Sequence, residues 1–292
     1  RTTGFSDRVD LGTIGSVKQD PQIVMRVELS DQPAVEKDRL YLRGLAYDQY
    51  DGRSWSHSGT RRRSLSLVAD GTFLARPAGS RLPDSQSIPI RQDILLETLD
   101  TAVLFAAPFA ELVSGEFRTV QADAMGGLHL SLPPSSRIRY SVTSQVPRLV
   151  ADERTASILA YSDPIRSRYL QVPVGSQQVE DLAQRVSQQA TTPFGRTLAI
   201  QQHLLNNYRY SLEADTATLS HPLEEFLFTR KTGYCEHYAT AMVVMLRTVG
   251  IPARLVTGFL ATEWNEYGGY FTVRQRDAHA WVEVYFPHSG WI

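Results

Sequence analysis

The stretch KTGYCEHYATAMVVMLRTVGIP, residues 231–252, decides how this sequence folds and where its chemistry lies. Tyr238, Ala241, Met242, Met245, Leu246 and Val249 recur at i, i+3, i+4, i+7, i+8 and i+11, an apolar stripe of helical period. Gly250 stands where a left-handed residue ends a helix, and Pro252 blocks continuation. The spacing therefore predicts a helix whose first turn carries Cys235, the one cysteine in the sequence. A helix start offers unpaired N–H groups and the positive end of the macrodipole, both of which favour a thiolate. Cys235 thus reads as an exposed nucleophile with a lowered pKa, its N–H aimed at a developing oxyanion. Gly233 just before it leaves room for a substrate. The competing reading is a buried structural cysteine, the commoner fate of a free thiol; the first-turn position argues against it.

A thiol nucleophile needs a base. His237 lies about 200° round the helix axis from Cys235 and faces away. His279 lies in a period-2 segment where Ala278, Ala280, Val282, Val284 and Phe286 form one face and His279, Trp281, Glu283 and Tyr285 the other. A histidine in that row is within reach of a helix packed on the sheet, although read alone it is equally a hydrogen-bonded core histidine. Asp277 shares its strand face, but i, i+2 side chains point in parallel, so a turn or hydrogen-bonding role suits it better than a direct partnership with the ring. His57, His129, His203, His221 and His288 share neither metal-ligand spacing nor an element. Trp281, Tyr234 and Trp264 are aromatic candidates for lining a cleft, with core packing as the alternative.

Around this pair the sequence divides. Ala253 to Leu260, Tyr270 to Arg276 and Ala278 to Phe286 read as strands after the helix. Before it, Ser176 opens a helix through Val179, Leu182, Ala183, Val186 and Ala190. Another follows Pro193 with Phe194, Leu198, Leu205 and Tyr208 on one stripe, and a short one starts at Pro222. The first half reads as β: Ile23, Met25, Val27 and Leu29 alternate with Val24, Arg26, Glu28 and Ser30, and Ile138, Tyr140 and Val142 with Arg139, Ser141 and Thr143. Asp51-Gly52, Asp70-Gly71 and Gly126-Gly127 punctuate it as turns. The expected class is α+β: an all-β, sandwich-like domain over 1–146, an irregular connection over 147–175, and a core of helices on an antiparallel sheet over 176–292.

Composition narrows the function. A formal charge of −1 gives no reason to expect nucleic acid or an anionic surface as partner, and Arg61-Arg62-Arg63 reads as a solvated loop. No stretch reaches the ~18 apolar residues of a membrane span. One cysteine excludes an internal disulfide and a cysteine zinc cage. With no phosphate-loop pattern, GxGxxG or clustered carboxylates, no cofactor or metal is expected. Both ends read as cut from a longer chain.

Three runs in order, Thr232-Gly233-Tyr234-Cys235-Glu236-His237-Tyr238-Ala239-Thr240-Ala241, Gly250-Ile251-Pro252-Ala253-Arg254 with Thr257-Gly258-Phe259, and Asp277-Ala278-His279-Ala280-Trp281-Val282-Glu283-Val284-Tyr285, resemble the bacterial transglutaminase-like, papain-like thiol superfamily. The segment Tyr47-Asp48-Gln49-Tyr50-Asp51-Gly52-Arg53-Ser54-Trp55 resembles the domain that precedes this core in TgpA-type membrane proteins. The resemblance implies Cys235 as nucleophile and His279 as base. It implies a glutamine-bearing protein or peptide as acyl donor and a primary amine as acceptor. It also implies a periplasmic location between membrane-spanning parts of a bacterial inner-membrane protein. The family's third triad member is an Asp on the next strand, shortly after a Gly-Trp pair, and this sequence stops at Gly290-Trp291-Ile292. The alternatives are a cysteine peptidase or amidase using the same pair, and a catalytically silent scaffold with the β-domain as a binding module.

Overall fold

The computed structural model describes residues 5–29, 38–59, 61–76, 87–147, 154, 161–213 and 220–292. The β-half is built on β1 (Ile23–Leu29), β2 (Leu40–Tyr47), β3 (Ser87–Leu96), β4 (Ala110–Gly115) and β5 (Ile138–Pro147). The predicted alternation is the cause of their burial: Ile90, Ile94 and Leu96 of β3 turn inward with Tyr140 and Val142 of β5, across a register of Tyr140 to Ile94 and Val142 to Gln92. Gly52, Gly71 and Gly126 have positive φ at the three predicted turns.

Within 147–175 the expectation of irregular chain needs correcting: α1 spans Asp163–Tyr169, opened by Pro164 in its first turn. Seven residues are too few for a period to be read from sequence. Next come α2 (Gln177–Ser187) and α3 (Pro193–Asn207). Ser176 precedes α2 as expected, yet its hydroxyl donates back to the Pro173 carbonyl at 2.7 Å instead of capping the helix. Helix α3 buries Pro193, Thr197, Ile200 and Leu204, one position off the predicted stripe, and leaves Leu205 65% exposed.

Helix α4 (Cys235–Thr248) matches the opening stretch, with Gly250 at φ 79° and Ile251 N–H returning to the Leu246 carbonyl at 2.9 Å. It packs between α2 and α3 on one side and β6 (Ala253–Ala261) and β8 (Ala278–Phe286) on the other, with β7 (Tyr270–Arg274) between those strands in sequence.

The two halves share their sheets. One sheet runs Gly290–Trp291, β8, β6, β2, so a strand of the first half closes the sheet that carries His279. The other has eight strands, in which Glu263–Asn265 and β7 join β1, β3, β5 and β4, followed by the hairpin of Thr72–Leu74 and Ser66–Ala69. Every pairing in both is antiparallel. One apolar core accordingly extends from Met25, Ile94 and Val142 to Val243, Met245 and Phe271. Among the described residues, no helix is long and apolar enough to cross a membrane.

Candidate active site

The β-half braces α4 from outside. The Trp55 indole donates to the Thr240 hydroxyl at 2.9 Å, and its ring lies under the Arg247 guanidinium at 5.4 Å. Arg247 in the last turn of α4 reaches the carbonyls of Ala253, Asp48 and Gln171 at 2.8–2.9 Å. The Tyr47–Trp55 segment is therefore the seat of the helix. From the other end, the Glu236 carboxylate accepts the N–H groups of Gly12 and Ile14 at 2.9 and 3.1 Å, pinning the N-terminal segment beside Cys235. Burial raises Glu236 to about 7.

Cys235 begins α4, after Tyr234 in extended conformation. This end of α4 packs on β8, and Cys235 lines the same cleft as Ala280, the residue following His279. The Cys235 and His279 side chains open into this one cleft of about 970 Å³. The His279 ring is flanked by Trp281 and Tyr41, with centroids 6.4 and 6.5 Å away. The structure thus brings together the two residues singled out from sequence.

Their electrostatics differ from the expectation. Cys235 is 4% exposed, because the first turn of α4 is covered by β8 and the N-terminal segment. Burial raises its pKa, outweighing the favourable field of Lys18, and the neighbouring charge of Glu236 adds to the rise. Burial, reinforced by Lys18, pushes His279 down to about 4. Burial thus favours the neutral form of both groups. Desolvation opposes the helix-end effect and exceeds it.

Other expectations resolve individually. His237 does turn away: its Nδ1 accepts the Tyr234 N–H at 3.2 Å, and burial lowers it to about 4. Gly233 makes room for His237 and Phe226, not for substrate, since a Cβ there would lie 2.8–2.9 Å from both. Asp277 accepts the Arg274 N–H at 2.8 Å and closes the turn before β8. Of the three aromatic candidates, only Trp281 lines the cleft; Tyr234 is buried and Trp264 packs on Phe271. The aromatic walls that sequence reading missed are Tyr41, Phe109, Tyr208, Tyr210 and Tyr238. Only Tyr208 and Tyr210, just past the end of α3, hinted at them.

The chain thus sets a cysteine at a helix start and a histidine on the antiparallel strand packed against that helix on one cleft. The chain belongs to the TgpA branch of the transglutaminase-like superfamily: the TgpA N-terminal domain matches residues 1–151 and the transglutaminase-like superfamily core matches residues 180–292. It is 30% identical to the protein-glutamine gamma-glutamyltransferase of Pseudomonas aeruginosa, over 99% of this chain and 40% of that protein. It is 28% identical to the uncharacterized protein YebA of Bacillus subtilis, over 88% of this chain and 36% of that one. The chain therefore spans less than half the length of either relative. The crystal structure of the periplasmic domain of TgpA from Pseudomonas aeruginosa matches with a TM-score of 0.75 at 27% identity, covering 99% of this chain and 92% of that one. The same domain bound to ethylmercury matches equally well.

Proposed function

We propose that this chain is the periplasmic catalytic part of a membrane-anchored transglutaminase, with Cys235 as nucleophile and His279 as general base. The observation that carries this reading is that Cys235, at the start of α4, and His279, on the strand packed against that helix, line one cleft. Because burial favours the neutral form of both groups, attack and proton transfer go together. The sulfur–carbon bond forms at a glutamine carboxamide as the thiol proton passes to the imidazole. The imidazolium then protonates the departing ammonia, leaving a thioester. A primary amine gives up its proton to His279, attacks the thioester and regenerates the thiol. The apolar lining, with Leu204, Met242, Val282 and Ile90 among it, disfavours water as the competing acceptor.

Incubation with a glutamine-bearing protein and a labelled primary amine tests the proposal. Ammonia release matched by amine incorporation, both absent in Cys235→Ala, is the expected result. Ammonia release without incorporation makes the protein an amidase, and activity retained by Cys235→Ala removes the nucleophile assignment.

A further inference from the structure

The Arg61-Arg62-Arg63 run is exposed, as a solvated loop would be, but its side chains are not evenly directed. Arg61 and Arg63 line a second cleft of about 830 Å³, while Arg62 lies 3.7 Å from Asp7 outside it. Arg43, Arg76, Arg168 and Arg254 bring the guanidiniums in its walls to six. Arg43 and Arg254 are buried and share one carboxylate: Glu283 accepts from Arg43 Nε and Nη2 at 2.8 and 3.2 Å and from Arg254 Nε at 2.6 Å. Arg254 also lies over the Trp291 ring at 3.9 Å. The nearby carboxylates are engaged. Glu111 accepts from Arg76 and Gln145, each at 3.0 Å. Asp123 accepts the N–H groups of Met125 and Gly127 at 2.8 and 2.9 Å and lies 2.9 Å from His129 Nε2. Asp48 accepts the Ser58 N–H at 2.8 Å and lies 3.5 Å from Arg168. Among the described residues, six guanidiniums thus meet four occupied carboxylates, and the cleft keeps an excess of positive charge.

This cleft adjoins the catalytic one. Phe109 lines both, and Glu283, which ties Arg43 to Arg254, lines the catalytic cleft. Phe109 stands at φ 59°, a left-handed conformation that is costly for a phenylalanine, and its carbonyl accepts the Gln145 N–H at 3.0 Å. On β2, Arg43 follows by two residues Tyr41, whose ring flanks His279. On β8, His279 and Glu283 share a face about 13 Å apart along the strand, and Glu283 pairs with Arg254 of β6. An extended chain lying over His279 therefore reaches the arginines about four residues on. We propose that the second cleft is a specificity site, binding Asp or Glu side chains of the donor polypeptide about four residues from its reactive glutamine. This rests on the transglutaminase reading given above. Guanidiniums take carboxylates in paired hydrogen bonds, and Arg43 and Arg254 are already fixed by Glu283 and Trp291, so little freedom is lost on binding. Contacts this far from the reacting atoms hold ground state and transition state alike, so they lower KM and leave kcat little changed.

The test uses peptides with one glutamine and a short run of aspartates centred about four residues before or after it, each matched by a peptide with asparagines in their place. With a labelled amine at about 50 mM salt, one acidic peptide is expected to show a KM at least about tenfold below its asparagine match, with kcat within about threefold. Raising the salt to about 0.5 M is expected to shrink that advantage below about threefold. Arg61→Gln combined with Arg63→Gln, both at exposed positions, is expected to cut the low-salt advantage by at least about threefold. Binding of the labelled peptides to Cys235→Ala, read by fluorescence anisotropy, needs no turnover. A preference of about tenfold for the acidic peptide there sustains the cleft even if no glutamine is consumed, in which case only the transglutaminase reading falls. Equal affinity of the acidic and asparagine peptides overturns the proposal. So does an acidic preference undiminished in the double arginine variant, which would put the carboxylates elsewhere. Capture of the protein by anionic lipid vesicles, without preference between the peptides, would give the cationic cleft to a membrane surface and also overturns it.

Discussion

His279 and Cys235 work against the field in which they sit. With His279 near 4, the imidazole is neutral, and able to take a proton, at every pH above that value. Activity is therefore expected to fall as pH drops through about 4, without a limb near the ordinary histidine value of ~6.5. The raised thiol implies the complementary behaviour: iodoacetamide alkylation of Cys235 should climb with pH beyond the range of a free cysteine, with no plateau near neutrality. A rate profile with an acid limb near 6.5, or an alkylation plateau at neutral pH, would show that an ion pair forms before substrate arrives. At this scale the sequence was informative where a residue type has few uses. The lone Cys and a His on an alternating strand stood out as candidates, whereas Tyr210 of the cleft wall did not. Its two-residue strand has no period to read, and its partner strand Thr232–Gly233 lies far along the chain. The sign of the thiol shift was also hidden, because burial is a property of what covers the helix start.

Helix α4 is the element on which the site depends, and its seat is Trp55. Trp55→Phe leaves the buried Thr240 hydroxyl without its donor and removes half of a ring system that is 0% exposed. A loss of about 2–4 kcal/mol in unfolding free energy is expected from the lost hydrogen bond plus the cavity. Denaturant unfolding of the two proteins measures it, and a loss under about 1 kcal/mol would mean that Arg247 and the sheet hold the helix unaided. The sequence revealed α4 because packing on both faces preserves a long apolar period, and Gly250-Ile251-Pro252 marks its end. Helix α3 was misread by one position for the opposite reason. Its Leu205 serves the cleft wall instead of the core, so an apolar residue there carries no information about the buried face.

At the scale of the molecule, the change from strands to helices near residue 150 was legible, but the pairing that crosses it was not. Hydrophobic alternation tells which face of β2 or β7 is buried, not which strand lies beside it. The pairing of β2 with β6 and of β1 with β7 makes residues 176–292 an incomplete folding unit. Expressed alone, that segment would expose the β6 edge and the bare side of β7, and it is expected to aggregate or lack a cooperative thermal transition. A sharp transition with native-like circular dichroism would contradict this. The proposed chemistry turns, finally, on a covalent event at one atom. Wild type and His279→Ala should each be mixed with a glutamine peptide in the absence of amine, quenched in acid, and read by intact mass and by the Cys235-bearing fragment. Wild type is expected to carry the peptide less ammonia on Cys235, and His279→Ala is expected to carry at least a hundredfold less at equal time. Acylation of Cys235 at the same rate in both proteins, or amine incorporation with no adduct on Cys235, would contradict it.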